Sequence, residues 1–510
     1  MDSAALTRRR HRTTQLLQPT LRAYALGYVS SATPKVIACL RRLWGNKNVS
    51  FQQKIKELFH VLTGTLRLES FPTFCAALVG SSTLLPLLCL KTLQTACRRL
   101  GSDPKTLSSK GVSRLIQLTT AFVSAWFSFQ ILNRRPVILR NVSNEQDGTP
   151  GETIVQQPRT TMQPHPRPQL AGRTMDLTLF TLTRAVDSIA CILWDWCRKK
   201  GNDHSRWASA ASIAPGLADS AIFASSAAVV MWAWFYAPER LPRSYGKWIG
   251  DVAKVDERLI EALRRARRSI FVYGKDTGQA PLLESMCKDY GWPTVWGDPA
   301  ETIPIPCEMV HMGCGPSCEK HAIYRFVRTF KFACATYIPL QIAFRFRSMK
   351  SMAAARRAIS DALRSSSFLA AFVSLFYYGV CLSRTRLGPR LFDKSTVTPQ
   401  MWDSGLCVGT GCVMCGWSIL IEHAKKRQEI ALFVAPRAAA TVLPRFYDQK
   451  PSLGMVAPCH CVSYDHSGCN YQYRERAAFA VSAAVLLTCF RESPDMVRGV
   501  FGRIGRSIVN

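Results

Sequence analysis

The 510 residues include 66 Lys and Arg against 34 Asp and Glu, so the formal net charge is +32, while 47% of the chain is hydrophobic. The basic residues flank long apolar runs instead of forming one basic region, which argues against a nucleic-acid-binding protein. The 19 cysteines follow no regular spacing and several lie inside the apolar runs, which argues against a secreted disulfide framework.

Residues 1–70 form a basic N-terminal lead that we expect to be partly helical. Between Met1 and Leu43 the only acidic residue is Asp2, and Arg, Ser and Thr are abundant. Mitochondrial transit peptides have this composition. We favour a retained basic arm on the cytosolic face, because no cleavage signal is evident.

Five runs in the chain carry no charged residue over about the thickness of a bilayer. A helix needs roughly 20 mostly apolar residues to cross the hydrocarbon core, and only helices satisfy the backbone of such runs internally. The sequence therefore predicts an all-α, multi-pass helical bundle in the membrane. The runs are Phe71–Leu90, Leu115–Asn133, Ser220–Pro238, Ser365–Ser383 and Ser404–Ile421.

The runs and the segments between them suggest an order of regions. Residues 71–140 hold the first pair of membrane helices, and residues 141–173, rich in Pro, Gln and Thr, read as a disordered linker. Residues 174–250 hold a second set of membrane helices, which includes a weaker apolar helix over Leu177–Trp196. That weaker helix is either interfacial or buried in the bundle, and the sequence leaves both alternatives open.

Residues 251–325 contain no apolar run long enough to span and are predicted to lie outside the membrane. Around Val255–Ile270 apolar residues share one helical face, and five Arg residues surround it. This pattern fits a helix in the headgroup layer or a solvated helix packed on the protein. Residues 326–510 hold the C-terminal membrane helices, in which Phe332–Phe344 reads as a half-span or a re-entrant segment and Ala477–Phe490 as a short span.

A repeated pattern suggests that the bundle contains two related parts. The segment Phe223–Val229 resembles Phe479–Val485, and Pro238 and Pro494 follow at the same distance. The shared Ser and Ala residues predict close helix packing, and we expect the bulky Trp232, Trp234 and Phe235 to face lipid or the interface instead. A membrane-transport repeat is the alternative interpretation.

Two Cys/His clusters have the side chains that zinc prefers. The first contains Cys307, His311, Cys314 and Cys318, and the second contains Cys459, Cys461, His466 and Cys469. Either cluster supplies four N or S ligands, as a zinc site requires, but neither has a standard finger spacing. Reduced thiols in packed loops are the alternative, and no other cofactor is expected.

Few other side chains suggest chemistry. His460 and Asp465 have the spacing of an acyltransferase pair, although no complete catalytic motif accompanies them. Acids inside or next to apolar segments, namely Asp187, Asp195 and Asp219, are candidates for a transport path. We expect Asp219 to lie near a helix start, where an acid stabilises the helix dipole.

Several segments between about residue 20 and the end share the pattern of one known family. These segments are Leu241–Ile249, Cys307–His311, Ser317–Cys318, Tyr337–Pro339, Arg364–Leu369, Arg384, Ser418–Glu422, Lys426–Leu432 and Ala435–Arg437. Together they resemble the transmembrane protein 135 family in a fungal-type version, and the Cys-rich segment around Cys307 is the most specific of them.

The resemblance implies a peroxisomal or mitochondrial membrane, lipid and fatty-acid handling, and a role in organelle dynamics. The family is distantly similar to the Tim translocase superfamily, and it implies no catalytic residue. We therefore expect an organelle membrane protein that is not an enzyme. Its expected partners are anionic lipid headgroups and other organelle membrane proteins, and no nucleic acid. A pore or carrier, and an acyltransferase using His460 and Asp465, are the alternatives.

Overall fold

A computed structural model describes residues 3–45, 51–66, 70–99, 109–133, 174–200, 205–346, 351–393, 395–443 and 466–509. Within these ranges the secondary structure is helical and contains no strand, which confirms the predicted all-α fold. The helices are α1 Ser3–Gly45, α2 Phe51–Gly64, α3 Phe71–Arg99, α4 Lys110–Asn133, α5 Met175–Lys200, α6 Ser205–Tyr236, α7 Arg243–Ala253, α8 Glu257–Arg267, α9 Ala280–Tyr290, α10 Cys307–His311, α11 Cys318–Arg345, α12 Met352–Cys381, α13 Gly388–Leu391, α14 Pro399–Met401, α15 Cys407–Cys415, α16 Ala424–Val442, α17 His466–Glu492 and α18 Gly499–Val509.

Six helical segments in the described part of the chain are long and apolar enough to cross a membrane. Five cover the charge-free runs to within two residues, so the prediction of a multi-pass membrane protein is confirmed. The sixth contains the weaker helix predicted over Leu177–Trp196. The segments are Phe71–Arg99, Gly111–Leu132, Met175–Lys199, Gly216–Tyr236, Met352–Arg386 and Pro399–Ile421.

The chain forms two compact units, which group the predicted regions differently from their order in the sequence. The first unit comprises Met1–Leu193 and Arg445–Asn510. In it α1 packs on α3, and α4 packs between α3 and α17. Stacked rings of Phe129 and Phe479 lie at the centre of its core, with their centroids 4.5 Å apart.

The second unit comprises Trp194–Pro444 and holds both a helical bundle and the predicted extramembrane region. In the bundle α12 packs on α11 and α15, and α6 packs on α15 and α16. Residues of α8, α9 and α10 build a separate apolar core that includes Phe271, Met286 and Met309. Leu259 and Ile260 of α8 are buried, so this helix packs on the protein, as in the second of the two interpretations.

Two regions with the same local structure support the internal repeat. The helix α6 ends at Tyr236, and a 3-10 turn over Pro238–Arg240 and the helix α7 follow it. The helix α17 ends at Glu492, and a 3-10 turn over Pro494–Met496 and the helix α18 follow at the same spacing. Phe223 and Phe479 occupy equivalent positions, and both are buried.

Some of the local expectations are wrong. Trp234 and Phe235 are buried in the core of the second unit and do not face lipid, and the Trp234 indole donates to the Gly246 carbonyl at 3.2 Å. Asp219 lies well inside α6, which begins at Ser205. Phe332–Phe344 belongs to the continuous helix α11, which accommodates Pro339, so the re-entrant alternative is wrong and the half-span stays a prediction.

Candidate metal centre and apolar cavity

A tight turn brings together three of the four residues of the first Cys/His cluster. After α10 the backbone adopts positive φ at Met312 (50°), Gly313 (84°) and Gly315 (87°), a conformation that glycine adopts without strain. The chain then enters α11, where the Ser317 hydroxyl accepts from the Lys320 amide at 3.3 Å. As a result the ligand atoms of Cys307, His311 and Cys318 lie within 4.8 Å of one another.

The fourth residue at this point is Cys381, not Cys314. Cys381 is the last residue of α12, and its Sγ lies 3.3 Å from Nε2 of His311. Its thiol also interacts with the thiols of Cys318 and Cys307. Within the described residues, the group whose ligand atoms all lie within 4.8 Å of one another contains neither Cys314 nor Cys381, and Cys381 adjoins that group through His311. The structure therefore brings the turn before α11 next to the end of a candidate membrane helix.

A backbone hydrogen bond fixes the orientation of the His311 ring. Nδ1 lies 2.7 Å from the Gly315 carbonyl oxygen, which can only accept, so Nδ1 carries the proton and donates it. Nε2 then keeps its lone pair and faces the thiols. Metal-binding histidines usually have this arrangement, in which the other ring nitrogen donates to a carbonyl or carboxylate.

Burial controls the protonation of these side chains in the absence of metal. His311 is fully buried, Cys318 and Cys381 are buried and Cys307 is half-buried. Burial raises the pKa of the Cys307 thiol to about 11, although the nearby Arg384 opposes this rise. Burial also lowers the pKa of His311, so the imidazole is neutral and able to donate its lone pair to a metal.

A second histidine and an arginine lie behind this group. The His321 ring is fully buried and stacks on His311 with the centroids 4.5 Å apart, and neither of its nitrogens has a hydrogen-bond partner. Burial, Arg325 and His311 lower the pKa of His321 to about 3, so it is neutral. The buried Arg325 guanidinium lies over the Tyr377 ring and donates to the Ala253 carbonyl at 3.2 Å.

A buried ion pair that the sequence patterns did not predict lies next to these Cys and His side chains. Arg384 and Asp403 are buried, and Nε of Arg384 lies 2.7 Å from Oδ1 of Asp403. Each residue lies in a π-helical turn, Leu382–Arg386 or Trp402–Leu406. The Tyr273 hydroxyl donates to Oδ2 of Asp403 at 2.5 Å, and Arg384 donates to the Ile305 carbonyl at 2.9 Å. The sequence feature that could have predicted this pair is the opposite charge of two residues that directly border charge-free runs.

Other predicted site residues are not brought into a site. Asp187 pairs with Arg498, and Asp195 pairs with Lys199 at 2.7 Å, so these acids form ion pairs within the protein. Cys459, His460, Cys461 and Asp465 lie outside the described residues, as does the predicted linker 141–173. His466 and Cys469 belong to α17, and the structure does not describe their side chains.

The second unit also contains an apolar cavity of about 290 Å³. It lies among α6, α7, α11, α12 and α16, and aromatic and aliphatic side chains form nearly all of its wall. Tyr245 and Tyr337 are among the residues that line it, and burial raises the pKa of both hydroxyls, so they are protonated and neutral. The lining includes Phe223, Met231, Tyr245, Trp248, Phe372 and Phe433.

Comparison with known proteins gives no relative: no family model, no curated protein and no solved structure matches the chain.

Proposed function

We propose that this chain is an organelle membrane protein that binds lipid acyl chains and acts in lipid and fatty-acid homeostasis. The apolar cavity in the second unit is the observation that carries the proposal. Its volume, about 290 Å³, lies near the lower end of the range for small-molecule sites, about 300–1,000 Å³. The resemblance to the transmembrane protein 135 family supports a peroxisomal or mitochondrial location and a role in organelle dynamics.

The chemistry of the cavity wall favours an acyl chain as the occupant. Phe223, Met231 and Phe372 offer apolar surface, and burying a methylene group on it contributes about 0.8 kcal/mol. The neutral hydroxyls of Tyr245 and Tyr337 can donate to the oxygen of an ester or carboxyl group at the end of such a chain. Trp248 also lines the cavity and is 46% exposed, so the cavity reaches the surface of the unit at this helix.

Photolabelling of the full chain in detergent with a diazirine-bearing palmitate tests this proposal. We expect saturable labelling of peptides from α6 and α12, and competition by unlabelled palmitate. Val230→Phe with Val373→Phe should reduce the labelling several-fold, because both valines line the cavity and larger side chains would fill it. The matched control is Val413→Phe with Val481→Phe, at exposed positions outside the cavity. Equal labelling of both variants would contradict lipid binding in this cavity.

The proposed location has a separate test. A tagged full chain should colocalise with peroxisomal or mitochondrial markers, and its deletion should change fatty-acid levels or the morphology of that organelle. A location only at the plasma membrane would contradict the organelle assignment and leave the cavity test unaffected.

A further inference from the structure

We propose that Cys307, His311, Cys318 and Cys381 bind one structural zinc ion, which joins the extramembrane segment to the end of the membrane helix α12. The site is independent of the proposed lipid function. It differs from the set expected from sequence spacing, because Cys381 replaces Cys314 as the fourth ligand. Cys381 is 63 residues or more from the other three along the chain, so only the folded chain brings it to them.

The ligand set and its spacing match tetrahedral zinc. Three thiols and one imidazole form a common structural zinc site, with Zn–S of about 2.3 Å and Zn–N of about 2.0–2.1 Å. These bond lengths separate neighbouring ligand atoms by about 3.5–3.8 Å in a tetrahedron. Nε2 of His311 and Sγ of Cys381 are already 3.3 Å apart, and the Cys307, His311 and Cys318 ligand atoms lie within 4.8 Å of one another. Binding therefore needs side-chain adjustments that bring the thiol of Cys381 to the other three ligand atoms.

The surroundings also favour a metal ion over four uncoordinated polar side chains. The proton on Nδ1 of His311 leaves the lone pair on Nε2 facing the group. Cys318 is the first residue of α11, and the positive end of a helix dipole stabilises a thiolate there. A site with four protein ligands and buried side chains has no open position, as in structural zinc sites and unlike catalytic ones.

Charge balance gives an independent argument. Zinc with three thiolates and a neutral imidazole carries a net charge of −1, which needs a nearby cation in a buried place. Arg325 is buried one helical turn beyond His321, where its guanidinium donates to the Ala253 and Lys254 carbonyls and its Nε has no hydrogen-bond partner. Its guanidinium lies 3.4 Å from Sδ of Met312, the residue that follows His311. Arg325 is therefore positioned to balance the charge of the site.

The position of the site predicts its effect on the fold. Cys307 and His311 lie in α10 and Cys318 begins α11, whereas Cys381 ends α12. A metal bound by all four connects the extramembrane core to α12 in addition to the bond from Arg384 to the Ile305 carbonyl. Removal of the metal should therefore loosen residues 307–318 before it affects the membrane helices.

The experiment uses the full chain purified in detergent without a metal-binding tag. Elemental analysis should find about one zinc per chain, and X-ray absorption should find three sulfur and one nitrogen neighbour. Cobalt substitution should give the visible bands of a tetrahedral thiolate site. Cys381→Ser should lower the zinc affinity at least about tenfold in competition with a chromophoric chelator, because even loss of a residue that supports a ligand costs that much.

Two matched cysteine variants make the test specific. Cys314→Ser removes a cysteine of the same turn, and Cys287→Ser removes a buried cysteine of the neighbouring core. Both should keep one zinc per chain. Wild-type protein without zinc, a disulfide between any two of the four residues, or loss of zinc in Cys314→Ser with retention in Cys381→Ser would each overturn the proposal. If the Cys381→Ser variant does not fold, Cys314→Ser decides the identity of the fourth ligand, because this variant keeps one zinc per chain only if Cys314 does not bind the metal.

Discussion

Arg384 and Asp403 form an ion pair that is almost completely removed from solvent, with side-chain exposures of 4% and 1%. Each belongs to a segment that is apolar enough to span a membrane, and each lies in a π-helical turn. Two further donors, the Tyr273 hydroxyl and the Cys407 thiol, lie at the Asp403 carboxylate. The pair therefore compensates two charges that neither segment could bury alone.

Breaking this pair should destabilise the protein strongly. Asp403→Leu or Arg384→Leu leaves one uncompensated buried charge, which typically costs about 3–5 kcal/mol. The double variant Arg384→Leu with Asp403→Leu should cost less than either single variant, because it leaves no charge behind. Thermal unfolding in detergent ranks the three variants by stability. A double variant less stable than both single ones would show that the pair does more than neutralise charge.

Glycines at two helix crossings should be sensitive to a single methyl group. A Cβ at Gly416 would overlap the backbone of Ala224 on α6, and one at Gly411 would lie 2.8 Å from the Phe376 carbonyl oxygen on α12. Gly416→Ala and Gly411→Ala should therefore lower the melting temperature, since overpacking typically costs about 1–3 kcal/mol. Gly409→Ala is the control, because its Cβ would meet only the Trp232 side chain at 3.6 Å. Equal stability of all three variants would contradict close packing at the crossings.

The repeated helices should tolerate enlargement poorly at equivalent positions. Ala227 and Ala483 are both buried, so Ala227→Leu and Ala483→Leu should each cost about 1–3 kcal/mol. Trp234→Leu should also destabilise, because Trp234 is buried and donates to the Gly246 carbonyl. Trp417→Leu, at a position that is 43% exposed, is the control and should cost less. The same unfolding assay in detergent measures the stability of all four variants. A Trp234→Leu variant as stable as Trp417→Leu would show that the buried Trp234 side chain does not stabilise the fold.

Local sequence patterns were sufficient for the long apolar helices of this fold. The charge-free run Phe71–Leu90 predicts a spanning helix without any partner, because lipid requires the backbone to satisfy its own hydrogen bonds. The repeated Phe–Ser–Ala segments predict packed helices, and Ser226, Ala227, Ser482 and Ala483 are indeed buried. The turn from Cys307 to Cys318 brings its ligands together over a few residues, so short-range spacing identified three of the four residues of the candidate site.

Only the tertiary structure determined which distant residues meet. Spacing favoured Cys314, but the adjacent helix end supplies Cys381, because α12 returns alongside α11 and finishes at the turn. The sequence around Trp234 predicts a side chain that faces lipid. Its burial depends on α7, which folds back so that the Gly246 carbonyl accepts a hydrogen bond from the indole N–H. Arg384 and Asp403 border two separate apolar runs, and the sequence of neither run indicates that its charged residue contacts the charged residue of the other. A periodic pattern determines which residues of a helix share a face, whereas the choice of partner for that face is a long-range packing event that sequence spacing does not encode.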